Sequence, residues 1–164
     1  MRHALLCGFA AAWSLSTGIA FGQSTEHERM QIATDRKAQM FALQDIYFTL
    51  MNVKTGRSDD FAGAAEAAAA VPERLDAFVS LLVPGTARGE APGSRAKPEI
   101  WTEPEDVAAA VADLKTRAAD LASAAHSGDG DAYNAAFDAY AQACTACHGL
   151  RPSSGGRFRF AKGE

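Results

Sequence analysis

The chain has 164 residues, 48% of them hydrophobic and 22% charged, with 20 acidic against 16 basic side chains and a formal charge of −4. That length suits one domain around one core. The mild acidity argues against nucleic acid as a partner and suits a carrier that meets basic proteins.

Met1-Arg2-His3 precedes an apolar run from Ala4 to Leu15, the charged n-region and apolar h-region of a secretory signal. Ser14, Ser16, Thr17 and Gly18 interrupt the run below membrane-spanning length. Ala20-Phe21-Gly22 supplies small residues ahead of a cut at Gln23, so residues 1–22 are expected to leave on export to the periplasm. No membrane segment then remains. Loss of Arg2 makes the charge one unit more negative, and Cys7 departs with the signal. The remaining cysteines, Cys144 and Cys147, both belong to a single Cys-x-x-Cys-His motif, so no structural disulfide is expected.

A first helix is predicted from Ser24 or Thr25 to about Lys54, with Thr25 as cap and Glu26 and Glu28 in its first turn. Met40, Leu43, Tyr47 and Leu50 recur at helical spacing. Phe41, Ile46, Phe48 and Met51 widen that stripe, which calls for a second contact with another helix or another subunit. Thr55-Gly56-Arg57-Ser58 reads as a turn. A second helix covers about Asp59 to Val83, with small residues from Phe61 to Ala70 suited to close helix–helix approach. Pro72 either kinks this helix or begins a new segment, and the kink is the expected form.

Pro84 to Trp101 is a long irregular connection, which in a bundle crosses an end of the core or serves a function. A third helix follows, with Thr102 and Glu105 at capping-box spacing and Pro104 in the first turn. Val107, Val111, Leu114, Leu121 and Ala125 form its buried stripe, and Ser127-Gly128-Asp129-Gly130 closes it. The last helix starts at about Asp131, and its apolar positions Tyr133, Phe137 and Tyr140 continue at the same spacing into Cys144 and Cys147. Residues 23–150 are therefore predicted to form an all-α, antiparallel four-helix bundle. Residues 151–164 are expected to be a flexible, solvated tail, although Arg151, Arg157, Arg159 and Lys162 could attract an acidic partner or a propionate.

Cys144-Thr145-Ala146-Cys147-His148 is the Cys-x-x-Cys-His pattern of covalent c-type haem attachment. Two thiols one helical turn apart can add across the two vinyl groups of the porphyrin, and the next residue carries an imidazole to the iron as axial ligand. A thioredoxin-like pair would open a helix after a strand, and a zinc site would need two further ligands; neither context is present. Because the cysteines continue the apolar face, one haem c is expected inside the bundle near the C-terminal helix.

With these features the sequence resembles the class II c-type cytochromes, the cytochrome c′ family. The similarity rests on Cys144 to His148, on Lys97-Pro98-Glu99-Ile100-Trp101 before the third helix, and on Arg36-Lys37-Ala38-Gln39-Met40 in the first. Gly128-Asp129 and Phe137 also fit. The resemblance implies that Met40 faces the distal side of the iron and that Arg36 lies at the haem edge, near a propionate. Two readings of Met40 stand: a sixth ligand, giving a low-spin electron carrier, or a packing residue beside five-coordinate iron that takes up nitric oxide or carbon monoxide. For Arg36 the alternative is an exposed helix charge. The family's usual aromatic and basic residues at the third and fourth positions after the axial histidine are replaced by Arg151 and Pro152. The expected function is that of a periplasmic monohaem cytochrome exchanging single electrons with redox partner proteins, with His148 and Met40 as iron ligands. No acid–base pair or nucleophile accompanies the motif, so enzymatic turnover is not expected. The family also implies a homodimer through the first two helices.

Overall fold

The computed structural model describes residues 24–149, 155–161 and 163. The expected signal segment with Cys7, and the tail positions Arg151, Pro152 and Lys162, lie outside the described residues. Helix α1 spans Glu26–Lys54 and is opened by a capping box: Glu28 N donates to Thr25 Oγ1 at 3.2 Å, and Thr25 N donates to Glu28 Oε2 at 2.6 Å. After the turn at Gly56, which has φ +69°, α2 spans Phe61–Ala69 with Asp60 as cap, accepting from Gly63 N at 2.8 Å.

A separate helix, α3, begins at Val71 and runs to Ser80, so the second helix is interrupted rather than merely bent. Proline has no N–H to continue the ladder and its ring crowds the carbonyl four residues back, whereas the first turn of a new helix tolerates both. Ala70 between the segments keeps right-handed helical angles (φ −81°, ψ −13°), so the two halves continue in the same sense.

The third helix departs from expectation at its start. Pro98 leads into a short helix, α4, over Glu99–Thr102, which takes Thr102 as its last residue. Glu103 becomes the cap of α5 (Pro104–Ser127), and no side chain caps it. The predicted Thr102–Glu105 box is absent because Thr102 is committed to the preceding turn. The left-handed Gly128 (φ +70°) ends α5, and Asp129 caps α6 (Gly130–His148) by accepting from Asp131 N and Ala132 N.

The short turns after α1 and α5 make those neighbours antiparallel, and α1, α2–α3, α5 and α6 form the four-helix bundle. Its main core joins Leu50, Val71, Leu75, Leu121, Tyr133, Phe137 and Tyr140. Ala64, Ala65 and Ala68 are fully buried, which lets α2 lie close against α5. Tyr133 carries its hydroxyl into this core and donates it to Leu50 O at 2.9 Å. A second, smaller cluster (Ala96, Ile100, Val107 and Phe158) closes the end of the bundle where α6 finishes. The wide stripe of α1 divides: Leu43, Ile46, Tyr47 and Met51 pack on the core, whereas Phe41 and Phe48 stay 58% and 52% exposed.

Candidate haem site

The site is built on the last two turns of α6. Cys144 packs against the main core and Cys147 against the second cluster, so the two thiols stand where the clusters meet. Both cysteines are half-buried and free of disulfide. Cys144 Sγ donates to Tyr140 O at 3.5 Å, one turn back. Burial pushes the Cys144 thiol up to about 11, with Cys147 adding to the rise against a backbone hydrogen bond that lowers it. Burial also raises Cys147. His148 is held down to about 4, first by burial and then by Arg159 and Arg95. Near neutral pH, therefore, two uncharged thiols stand beside a neutral imidazole, the form that binds a metal.

Met40 is half-buried on α1, one turn beyond Arg36. The register of α1 against α6 sets its height. Lys54 Nζ donates to Asn134 O at 3.1 Å and to Asp138 at 2.8 Å, and the Tyr47 ring meets Phe137 at 5.4 Å between centroids. Moving seven residues back from Tyr47 covers about 10 Å, the same rise that separates Phe137 and Tyr140 from Cys144 and Cys147. Met40 therefore lies level with the end of α6. Among the described residues it belongs to neither apolar cluster.

Arg36 is 5% exposed, which excludes the exposed-charge alternative. Its Nη1 donates to Thr86 Oγ1 at 2.9 Å and Leu81 O at 3.4 Å; Nη2 donates to Thr86 O and Ser94 Oγ, both at 2.9 Å. The long connection is thus wrapped around a guanidinium that also faces the Trp101 ring, 5.8 Å from its centroid. Burial lowers the pKa of Arg36. Among the described residues no carboxylate forms an ion pair with it.

Residues 155–161 are packed, within the stretch expected to be a solvated tail. Phe158 is 5% exposed, and one antiparallel bridge joins Arg159 to Ala96. Arg159 Nη1 lies 3.1 Å from His148 Nδ1. The sequence reading missed this arrangement, although Arg157-Phe158-Arg159-Phe160 alternates basic and apolar residues with the period of an extended strand.

A family model for cytochrome c′ matches residues 31–150. The chain belongs to the cytochrome c′ family. It accordingly carries one covalently bound haem c. Solved structures share its fold. Cytochrome c′ from Rubrivivax gelatinosus is 23% identical with a TM-score of 0.64, the match covering 80% of this chain and 96% of that one. A ferrous variant of the Alcaligenes xylosoxidans cytochrome c′ with bound nitric oxide is 20% identical with a TM-score of 0.66, covering 86% and 100%. A carbon monoxide-bound variant of the same protein is 20% identical with a TM-score of 0.65, covering 84% and 98%. No curated protein matches the chain.

The residues present fit such a group. Cytochrome c′ chemistry asks for two thiols a turn apart with an adjacent imidazole, and α6 supplies them at the junction of two apolar clusters. Arg36 adds a buried cation with no counter-ion among the described residues, as a carboxylate-bearing ligand would require. Gln39 Oε1, beside Met40 in the chain, and Arg95 Nε, close enough to His148 to act on its charge, are both buried without a partner among the described residues.

Proposed function

We propose that this cytochrome c′ is a periplasmic one-electron carrier whose haem is bound by Cys144 and Cys147 and whose iron is held by His148 and Met40. The observation that carries the reading is the position of Met40. It lies level with the end of α6, half-buried, and among the described residues takes no part in either apolar cluster, which favours a thioether kept for the iron over core filler. With His148 and Met40 as ligands, a soft thioether together with an imidazole would favour ferrous iron and raise the reduction potential, as suits one-electron transfer. When bound, the haem supplies the electron store; this chain's residues anchor it, orient it and keep water from it. Cys144 and Cys147, both free thiols, would hold the haem by thioether bonds, an addition of S–H across a vinyl group that needs no oxidant. Arg36 supplies the cation that a propionate would pair with.

Nitric oxide and carbon monoxide complexes of structural neighbours support a second reading, in which the sixth site stays open to diatomic gases. The ferric absorption spectrum of the purified holoprotein separates the two. A low-spin spectrum with a weak near-infrared sulfur-to-iron band is the expected result. A high-spin spectrum would overturn the carrier assignment and transfer the function to gas binding. Export rests on the N-terminal signal pattern and is tested by finding the mature N-terminus at Gln23. Among the described residues, no helix is long and apolar enough to cross a membrane.

A further inference from the structure

Residues 155–161 lie beyond the stretch that the family model matches, and they reshape the end of the bundle beside the haem motif. Glycines make their path possible. An added Cβ at Gly156 would lie 2.5 Å from Cys147 O, Gly149 N and His148 C; at Gly155 it would lie 2.7 Å from Ala161 N. A Cβ at Gly149 would collide with the carbonyl of Gly155. Backbone therefore runs directly over backbone, a route closed to any residue with a side chain. The returning segment is fastened to the long connection. Lys97 N donates to Phe158 O at 3.1 Å, Phe160 N to Arg95 O at 2.9 Å, and Arg95 Nη2 to Phe160 O at 2.8 Å. Lys97 Nζ donates to Gly156 O at 2.8 Å. Phe160 is thereby held against two cations, with Arg88 4.8 Å and Lys97 5.2 Å from its ring centroid. An aromatic face holds a cation in place without neutralising it.

The net charge of −4 points to basic partners, yet the charges are unevenly placed. Asp59 and Asp60 stand at the start of α2, and Asp129 and Asp131 at the start of α6, the end of the bundle away from His148. At the other end Glu103 and Asp106 are held by Arg157, Glu90 accepts from Ala87 N at 2.9 Å, and one oxygen of Glu99 is buried. Among the described residues, Lys54, Arg74, Lys115, Arg117 and Arg157 each meet a carboxylate, whereas Arg88, Arg95 and Lys97 meet none. We propose that Arg88, Lys97 and Phe160, with the half-buried Arg95, form the docking face for an acidic patch on the protein that exchanges electrons with the haem. The proposal rests on the reading of this cytochrome as a one-electron carrier. One electron passes from ferrous iron to the partner, which is reduced as the haem is oxidised. Docking costs these cations no internal ion pair, and side chains already fixed on a ring lose little freedom. Opposite charge then steers the encounter and sets its orientation. The face adjoins the haem motif, since Phe158 N donates to Cys147 O at 3.4 Å. An anionic membrane suits it less. No large apolar side chain on the face is exposed for insertion, and the acidic start of α5 lies next to it.

The experiment follows oxidation of the ferrous holoprotein by hexacyanoferrate(III), a trianion standing in for an acidic partner, in stopped flow at rising ionic strength. Net charge alone demands repulsion, so that added salt speeds the reaction; the cationic face demands that salt slow it. Arg88→Glu, at an exposed position, should lower the rate about three- to tenfold at low ionic strength. Arg57→Glu makes the same change of charge in the exposed turn after α1, at the far end, and should leave the rate within about twofold. Lys97→Gln should slow the reaction as well, with exchange protection of the Phe160 amide showing that the returning segment is still fastened. A hexaglutamate peptide should shift the Arg88, Lys97 and Phe160 amide resonances, and phosphatidylglycerol vesicles should not sediment the protein at the same ionic strength. A rate that rises with salt, or equal effects of Arg88→Glu and Arg57→Glu, would overturn the proposal. So would vesicle binding that Arg88→Glu abolishes, which would give the face to a membrane. The ferric spectrum separates these failures from failure of the carrier reading. A high-spin spectrum removes the carrier, whereas a low-spin spectrum with salt effects that follow net charge removes only the docking face.

Discussion

Replacing Arg36 by Met keeps the length of the side chain and deletes its charge, which isolates what the guanidinium does for the long connection. Three of its bonds are 2.9 Å and go to Thr86 and Ser94, two residues that are themselves buried. Hydrogen bonds from a charged donor contribute about 1.5–3 kcal/mol each in mutational series. Against this stands the desolvation of a buried cation, several kcal/mol. The acceptors are not left bare, because Ser94 Oγ still donates to Thr86 O at 2.8 Å and Thr86 Oγ1 to Val83 O at 2.6 Å. The expected net loss is therefore ~2–4 kcal/mol, read as a fall in Tm of about 5–15 °C for a domain of this size. Thermal unfolding of the holoprotein followed by circular dichroism measures it. Hydrogen exchange should show the loss first in the connection, with amides such as Arg88, Ser94 and Ala96 opening ahead of α6. A Tm within about 2 °C of wild type, with protection in residues 84–98 unchanged, would refute the idea that Arg36 holds this loop.

Further outcomes test other parts of the structure. Haem should resist acid–acetone extraction from the wild type, and replacing both Cys144 and Cys147 by Ala should largely prevent holoprotein from accumulating. Met40→Ala should turn low-spin iron high-spin and speed carbon monoxide binding, while a half-buried methionine limits the stability loss to about 1–2 kcal/mol; an unchanged spin state would favour the open-site reading. Tyr133→Phe removes the bond to Leu50 O and should lower stability by about 1 kcal/mol at neutral pH. Burial raises the Tyr133 phenol to about 12, so its contribution is full below pH 10 and is lost as pH climbs through 12; the Phe variant should show a shallower alkaline loss in urea titrations at pH 9 to 12. Sedimentation at micromolar concentration should give a dimer through the exposed faces of α1 and α3, where Phe41, Phe48 and Val79 lie open, and a strict monomer would rule that out.

The helices were legible because their signals are local. Thr25 with Glu28, Gly128 and Asp129 act within one turn of themselves, and the stripe running from Tyr133 to Cys147 needs only helical periodicity to be seen. The misread start of α5 shows the limit of such signals. Thr102 has the right spacing for a cap, yet Ile100 and Trp101 are drawn into the bundle end and pull the preceding residues into a turn of their own. Local chemistry proposed one boundary and long-range burial chose another.

The same limit explains which parts of the site were legible. Cys144, Cys147 and His148 are contiguous, so their chemistry is written in five residues. Arg36 depends on partners 45 to 58 positions away, and no periodicity reveals that Thr86 and Ser94 would close around it. Arg159 is harder still, because it reaches His148 only after three glycines have let the backbone double back. Glycines near a chain end usually speak for looseness, and that was the expectation for this tail. Here they permit close backbone approach, and the alternating Arg157-Phe158-Arg159-Phe160 beyond them makes the approach worthwhile by burying Phe158 while Arg157 pairs with α5. A glycine-rich end is therefore informative only together with the residues C-terminal to it: polar residues leave it free, whereas an alternating apolar and basic run gives it a surface to bind.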